Sequence, residues 1–142
     1  MSVAAILRGK PDRLIGLEEG RSLSEAAELL TRERIGALII RNAQGEMIGI
    51  LSERDIVRAI AREGAAVIDR PVSTIMTRDV VCVTPEDDIG EVMSLMTERR
   101  FRHLPVKHSG KLIGMVSVGD VVKQRVEEAE GEAQQLRQYI AS

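Results

Sequence analysis

Two stretches of the chain decide its fold, because they are nearly the same stretch written twice. Residues 45–57 read GEMIGILSERDIV, and residues 110–122 read GKLIGMVSVGDVV. The residue types agree at every position except the one after the first glycine and the two between Ser and Asp. The offset is 65 residues, from Gly45 to Gly110. Self-similarity over this length predicts an internal duplication.

The sequence that flanks the two stretches repeats as well. Residues 37–40 (ALII) correspond to residues 103–106 (HLPV) at an offset of 66, and the one-residue difference falls in a turn, where insertions are tolerated. Each copy predicts a first strand, an amphipathic helix, a strand–turn–strand and a second helix. The first strands are predicted at 13–17 and 80–83, the first helices from Ser22 and Pro85, and the second helices after Ser52 and Ser117.

This β-α-β-β-α order predicts an α+β fold. The crossover through a helix implies a parallel strand pair and the tight turn implies an antiparallel pair, so each sheet should be a mixed three-stranded sheet. One repeat of about 60 residues is marginally stable alone. We therefore expect two repeats related by pseudo-twofold symmetry, with their sheets packed face to face and two equivalent clefts between them.

The predicted domain boundaries follow the duplication. Repeat one takes residues 1–68 with a leading helix at 3–7, and repeat two takes residues 69–126 with a leading helix at 72–76. Residues 127–142 form a helical tail with a sparse apolar stripe. Because an isolated helix of this kind frays, we expect the tail to pack on a partner subunit, the alternative being a mostly solvated tail.

Composition excludes several function classes. The chain has 142 residues, 44% of them hydrophobic and 30% charged, which is typical of a globular domain. A net charge of -2 and an aromatic content of 1% disfavour nucleic-acid binding. The strongest feature in favour of nucleic-acid binding is the basic run at residues 99–102. No apolar run approaches the ~18 residues of a membrane span, and the N-terminal segment lacks a signal-peptide core. With one cysteine, a cytoplasmic location is the expectation.

The repeated Gly-apolar-apolar-Ser-x-x-Asp motif carries the most chemistry. It predicts a strand that ends at Ser52 or Ser117 and a helix whose third residue is Asp55 or Asp120. Ser-x-x-Asp is also an ordinary capping box, so one copy alone would favour a structural role. A carboxylate can instead accept hydrogen bonds from a ribose diol, while a helix start suits a phosphate. The duplication favours ligand binding, because capping requires no fixed strand before it.

These residues resemble a known family. The GILSERD and GMVSVGD blocks, the GALII and RHLPV strands and the EAAELL and EVMSLM helices are similar to tandem CBS domains, a Bateman module of the stand-alone two-domain type. The resemblance spans residues 3–126. It implies a regulatory module that binds an adenosine-containing ligand, with AMP as the first expectation and ADP, ATP or NAD as alternatives. It also implies a homodimer that controls an unknown regulated protein.

The resemblance implies two ligand clefts, each combining the motif of one repeat with the early strands of the other. In the first, Asp55 would bind the ribose, Ser52 and Arg54 a phosphate, and Arg102 or His103 further phosphates, although His103 fits a plain strand-edge role equally well. Val80, Val81 and Pro105 would flank the adenine. The first set comprises Ser52, Arg54, Asp55, Arg78, Val80, Val81, Arg102, His103 and Pro105.

The second cleft departs from the first in charge. Gly119 replaces Arg54, and Gly36-Ala37 replaces Arg102-His103, so nearby positive charge can come only from Lys10 or Arg13. We therefore expect unequal sites, with the second binding more weakly or preferring a less anionic adenosine ligand. The second set comprises Ser117, Gly119, Asp120, Arg13, Leu14, Ile15, Gly36, Ala37 and Leu38.

Catalysis is not expected from this sequence. It shows no nucleophile–base pair, no glycine-rich phosphate loop and no metal-ligand cluster, so we expect neither an enzyme nor a catalytic cofactor nor a metal site. A nucleotide hydrolase or transferase is the first competing hypothesis. The second is a structural protein-interaction module whose ligand clefts are vestigial.

Overall fold

The computed structural model describes residues 1–10 and 14–141, which fall into two compact units. One unit is residues 14–80, and the other is residues 81–141 together with residues 1–10. Both contain helices packed on a small sheet, so the α+β class and the two repeats are confirmed. No helix in the described part of the chain is both long and apolar enough to span a membrane.

The unit of residues 14–80 contains the predicted mixed sheet. Strand β1 (Gly16–Glu18) runs parallel to β2 (Ala37–Arg41), which pairs antiparallel with β3 (Met47–Ser52). Helix α2 (Leu23–Glu33) connects β1 to β2, and α3 (Glu53–Glu63) follows β3. The predicted helix start at Ser22 is confirmed, because its Oγ accepts a hydrogen bond of 3.1 Å from the Glu25 N–H.

The other unit has a reduced sheet. Its strands β4 (His103–His108) and β5 (Lys111–Ser117) are antiparallel, and helix α4 (Ile89–Arg99) precedes them. The first strand expected at 80–83 contributes one parallel bridge, Val83 with Val106.

Proline explains this difference between the sheets. In the first unit the N–H of Ile39 donates to the carbonyl of Ile15 at 3.1 Å. The equivalent of Ile39 at an offset of 66 is Pro105, which has no N–H to donate. The ladder that extends β1 therefore loses a hydrogen bond in the second copy and shortens to a single bridge.

The leading segments are exchanged between the cores. Helix α1 (Val3–Arg8), which precedes repeat one in sequence, buries Val3 and Ile6 in the core of the unit that contains residues 81–141. The 3-10 turn Val72–Thr74, which precedes repeat two, buries Val72 in the core of residues 14–80, as does Met76. The division of the chain by packing therefore differs from its division by sequence repeat. The boundaries predicted from the duplication, at residues 68, 69 and 126, stay a prediction.

Helix α5 (Val118–Ala141) is continuous. The predicted second helix of repeat two and the predicted tail from residue 127 are one helix. Among the described residues of α5, Val121 is the one that is fully buried. Val118 also packs against this core, whereas residues 129–141 are exposed.

Candidate functional site

The first Ser-x-x-Asp motif lies where β3 ends and α3 begins. Ser52 is the N-cap of α3, and its Oγ accepts a hydrogen bond from the Asp55 N–H at 3.2 Å. In return, the Ser52 N–H donates to Oδ2 of Asp55 at 2.9 Å. The sequence favours this arrangement because Ser is a strong N-cap and an acid at the third helical position closes the reciprocal pair. The Asp55 carboxylate is thereby fixed in orientation.

The second motif reproduces this geometry. The Asp120 N–H donates to Ser117 Oγ at 3.1 Å, and the Ser117 N–H donates to Asp120 Oδ2 at 2.8 Å. The capping interpretation of both motifs is therefore confirmed. Capping uses only one oxygen of each carboxylate, Oδ2. The other oxygen, Oδ1, accepts no hydrogen bond from a described residue in either half-buried carboxylate. Each Oδ1 can accept a hydrogen bond from a ligand hydroxyl.

A lysine distinguishes the two carboxylates. Nζ of Lys10 donates to Oδ2 of Asp120 at 2.8 Å and to the Met115 carbonyl at 2.8 Å. Burial raises the pKa of Asp120, but the Lys10 hydrogen bond, the Ser117 hydrogen bonds and the Lys10 charge together hold that pKa below its ordinary value. Lys10 was one of two cations expected near this motif. The other, Arg13, lies outside the described residues.

Asp55 has no such partner among the described residues. No cation from residues 1–10 or 14–141 forms an ion pair with its carboxylate. Arg54, the residue before it, is exposed and makes no hydrogen bond within the described chain. The first motif thus presents a fixed carboxylate and a neighbouring cation, Arg54, that makes no hydrogen bond with any residue of 1–10 or 14–141.

Each motif contacts the start of the strand that pairs antiparallel with its own strand, β2 in the first unit and β4 in the other. The N–H of Glu53 donates to the Gly36 carbonyl at 3.0 Å, and the N–H of Val118 donates to the Arg102 carbonyl at 2.9 Å. These contacts place residues 36–38 beside the first motif and residues 102–105 beside the second. The two copies therefore share one local scaffold: a strand entrance, a capped helix start and an acid.

The predicted ligand sets draw on both units. Residues 14–80 hold Ser52, Arg54, Asp55, Arg78 and Val80 of the first set and Leu14, Ile15, Gly36, Ala37 and Leu38 of the second. The other unit holds Val81, Arg102, His103 and Pro105 of the first set and Ser117, Gly119 and Asp120 of the second. The grouping of residues from different repeats around one ligand stays a prediction.

Burial separates the predicted residues into groups. Arg54, Arg78, Arg102 and Gly119 are exposed, and Arg78 donates to the Ser73 carbonyl at 3.1 Å. Leu38 is 0% exposed and belongs to the core of residues 14–80, so its side chain is occupied by packing. Ala37 and Pro105 are also buried, and the half-buried remainder are Leu14, Ile15, Gly36, Val80, Val81 and His103.

The glycine that begins each Gly-apolar-apolar-Ser-x-x-Asp motif, Gly49 or Gly114, has a packing role that the sequence analysis did not predict. A Cβ built on Gly49 would lie 2.6 Å from Met76 Sδ and 2.8 Å from the Thr77 carbonyl. A Cβ on the equivalent Gly114 would lie 2.9 Å from Cδ2 of Leu7. In both copies an exchanged leading segment packs directly on this position. The paired glycines were the available signal, because a strand glycine marks the close approach of another segment.

The described side chains do not form a cluster of metal ligands. Within residues 1–10 and 14–141 there is no group of three or more His, Cys, Asp or Glu residues that could hold a metal ion. The donor groups at the two motifs are instead hydroxyls, single carboxylates, backbone N–H groups and basic side chains, which suit an organic anion with hydroxyl groups.

Comparison with known proteins agrees with the fold and the motif. The CBS domain matches residues 12–62 and 72–127. A mitochondrial CBS domain-containing protein of Arabidopsis thaliana, CBSX3, is 39% identical over 120 residues, which is 82% of this chain and 58% of that protein. The chain spans about three fifths or less of the length of the first curated relatives.

Two solved structures match over more than nine tenths of their own length. A CBS-domain protein from Agrobacterium tumefaciens is 40% identical with a TM-score of 0.85, over 87% of this chain and 92% of the other. A CBS-domain protein from Burkholderia ambifaria is 36% identical with a TM-score of 0.85, over 89% and 95% of the two chains. This chain belongs to the CBS-domain family and carries two CBS domains in tandem.

Proposed function

We propose that this CBS pair is a regulatory module that binds an adenosine-containing ligand through its first motif. Oδ1 of Asp55 accepts hydrogen bonds from the ribose hydroxyls, while Ser52 and Arg54 bind a phosphate. The observation that carries the proposal is the fixed, half-buried Asp55 carboxylate with one oxygen left open. A preoriented acceptor loses little conformational freedom when a ligand arrives, and this favours binding.

A structural neighbour supports the ligand class. The CBS domain pair of protein MJ0100, with a TM-score of 0.78 and 23% identity to this chain, was solved in complex with 5′-methylthioadenosine and S-adenosyl-L-methionine. Both molecules carry adenosine, and neither carries a phosphate. For this chain we take AMP as the first candidate, with ADP, ATP and NAD next, because Arg54 adds an exposed cation next to Asp55 in the chain.

The two motifs bind unequally in this proposal. Asp120 already accepts a hydrogen bond from Lys10, so its negative charge is compensated before a ligand arrives. A ribose hydroxyl at Asp120 therefore gains less than one at Asp55, where the carboxylate has no cationic partner among the described residues. Charge-assisted hydrogen bonds contribute about 1.5–3 kcal/mol each, so the difference is large enough to separate the affinities by a decade or more.

The output of the module is a change in a partner protein rather than catalysis. A ligand shifts an equilibrium only when it binds one of two states more tightly. We propose that the chain forms a homodimer with two conformational states. Ligand binding favours one of these states, and the regulated protein responds to that shift. A cytoplasmic location stays an expectation, and one relative is described as mitochondrial.

Thermal unfolding of the full chain tests the proposal. A ligand that binds only the native state at a hundredfold excess over its Kd stabilises that state by about 2.7 kcal/mol. AMP, ADP, ATP or NAD should therefore raise the melting temperature of the wild type. The shift should be lost in Asp55→Asn, which keeps an oxygen to accept from Ser52 but removes the charge.

Asp88→Asn is the matched control. Asp88 caps α4 by accepting from the Glu91 N–H at 3.2 Å, so this variant makes the same chemical change at a helix start outside both motifs. It should retain the ligand shift. A wild type that responds to none of the four nucleotides would favour the structural interaction module, and a full shift in Asp55→Asn would refute the ribose assignment.

A further inference from the structure

The last helix carries an apolar seam that its own chain does not cover. Apolar residues recur along α5 at alternating spacings of four and three, which is the heptad pattern of a coiled coil. The larger members are exposed in the single chain: Val122 by 47%, Val126 by 50%, Leu136 by 59% and Ile140 by 75%. The complete seam comprises Val122, Val126, Ala129, Ala133, Leu136 and Ile140.

We infer that α5 pairs with α5 of a second copy of this chain as a parallel, in-register, two-stranded coiled coil. The inference rests on the homodimer in the proposed function and not on its ligand. It assigns the dimer contact to a defined helix face and gives that contact a direction.

The opposite face of α5 is the one that packs on its own chain. Val121 is buried in the core, Gln124 contacts the Met1 side chain, and Glu128 lies 4.0 Å from the amino terminus. In heptad positions these residues are c, f and c, about half a turn around the helix from the a and d positions of the seam. The seam therefore faces away from the core that holds the first turns of α5.

The residue types at the seam favour two strands. Val126, Ala133 and Ile140 occupy the a positions, and Leu136 occupies a d position. β-branched residues at a together with Leu at d favour two-stranded parallel coiled coils. The two alanines in the middle allow the helices to approach closely.

Charges beside the seam select the parallel arrangement. In a parallel pair each g position faces the e position five residues later on the other helix. Arg125 then faces the partner's Glu130, and Glu132 faces the partner's Arg137, so all these pairs are opposite in charge. Arg125 is available for this contact, because its side chain is 53% exposed and its ion pair within the described chain is a 3.7 Å contact with Glu128.

The antiparallel arrangement with the same apolar layers juxtaposes like charges. Glu130 would face the partner's Glu130, Glu132 would face the partner's Glu132, and Lys123 would face the partner's Arg137. These like-charge contacts repel each other and therefore disfavour the antiparallel orientation. Charge complementarity therefore favours a parallel orientation of α5 and the α5 helix of the second copy.

Disulfide cross-linking of the full chain tests the contact and its direction. In a Cys82→Ala background, Ala129→Cys places one thiol at a d position of the seam. In a parallel pair residue 129 faces itself, within the separation of about 4.4–6.8 Å between Cα atoms that a disulfide requires. Mild oxidation should convert this variant to a covalent dimer. Gln135→Cys, at a c position on the same helix, is the control and should stay monomeric on a non-reducing gel.

The alternatives give different results. Equal cross-linking of Ala129→Cys and Gln135→Cys would overturn the seam. Cross-linking of Ala129→Cys only when it is mixed with Ala133→Cys would overturn the parallel direction, because those residues face each other in the antiparallel pair. Sedimentation of the uncross-linked chain separates the two proposals: a dimer without seam cross-links refutes the seam alone, whereas a monomer refutes the homodimer as well. Thermal shifts with nucleotides report on the ligand proposal independently.

Discussion

Nζ of Lys10 lies 2.8 Å from Oδ2 of Asp120, whereas Asp55, the equivalent acid of the other repeat, has no cation paired with it among the described residues. The two repeats contain the same acid in the same capping arrangement. Lys10, which lies outside the duplicated motif, pairs with one of these acids and so makes their surroundings different. The asymmetry therefore lies in the cation that pairs with Asp120 and in how available each carboxylate is to a ligand, and not in the backbone geometry of the two motifs.

Removing Lys10 should move the titration of Asp120. The folded-state pKa of Asp120 lies below its ordinary value, so its ionised form stabilises the fold above the unfolded-state pKa of about 3.9. That contribution is lost as pH falls through the lower, folded-state pKa. In Lys10→Met the effect of burial is no longer opposed by the lysine, so the pKa of Asp120 should rise and acid destabilisation should begin at higher pH.

Carbon-13 NMR of the Asp120 carboxyl measures this directly. Lys111→Met is the matched control, since Lys111 is exposed and lies at the start of β5, away from the motif serine at its end. An unchanged titration midpoint for Asp120 in Lys10→Met would contradict the assigned role of the lysine.

Both caps should contribute similarly to stability. Ser52→Ala and Ser117→Ala each remove the acceptor for the N–H of the motif acid, at 3.2 Å and 3.1 Å. Loss of an N-cap costs about 1 kcal/mol in free energy of unfolding. Urea denaturation should show this loss in both variants. Ser94→Ala, at an exposed site inside α4, should cause no loss, and wild-type stability in Ser52→Ala would refute the capping account.

The close approach at Gly49 should make this glycine hard to replace. In Gly49→Ala the new methyl group meets both Met76 Sδ and the Thr77 carbonyl, whereas in Gly114→Ala it meets only the end of the flexible Leu7 side chain. We expect a cost of about 1–3 kcal/mol for Gly49→Ala and a smaller one for Gly114→Ala. Gly131→Ala, with nothing within 4 Å, should instead gain up to about 1 kcal/mol from helix propensity.

Thermal or urea unfolding of the three glycine variants checks the order. Equal stability of Gly49→Ala and Gly131→Ala would show that the leading segment does not press on the strand.

The duplication made most of the fold predictable. The motif fixed the positions of β3, β5 and the helices that follow them, because Ser52 and Ser117 are strong caps placed after apolar strands. The capping geometry was predictable from the Ser-x-x-Asp spacing itself, whereas Lys10 was expected near Asp120 from the resemblance to CBS domains.

Long-range packing was not predictable in the same way. Hydrophobic periodicity places Val3 and Val72 on buried faces, but it does not say which repeat receives them. The reduced second sheet had a local signal in Pro105, which cannot donate to a neighbouring strand. The heptad on α5 is readable from spacing, although a sparse stripe does not show which face packs on its own chain until Val121 and Gln124 are located.

A calorimetric cycle tests the central claim most directly, because it pairs the Asp55 carboxylate with the ribose hydroxyls it is proposed to bind. Wild type and Asp55→Asn are each titrated with AMP and with 2′,3′-dideoxy-AMP, and the coupling between the two deletions is measured. We predict that removing the hydroxyls weakens binding to the wild type by about tenfold to a hundredfold and barely changes binding to Asp55→Asn. Equal losses in the two proteins would contradict the assignment of Asp55 to the ribose.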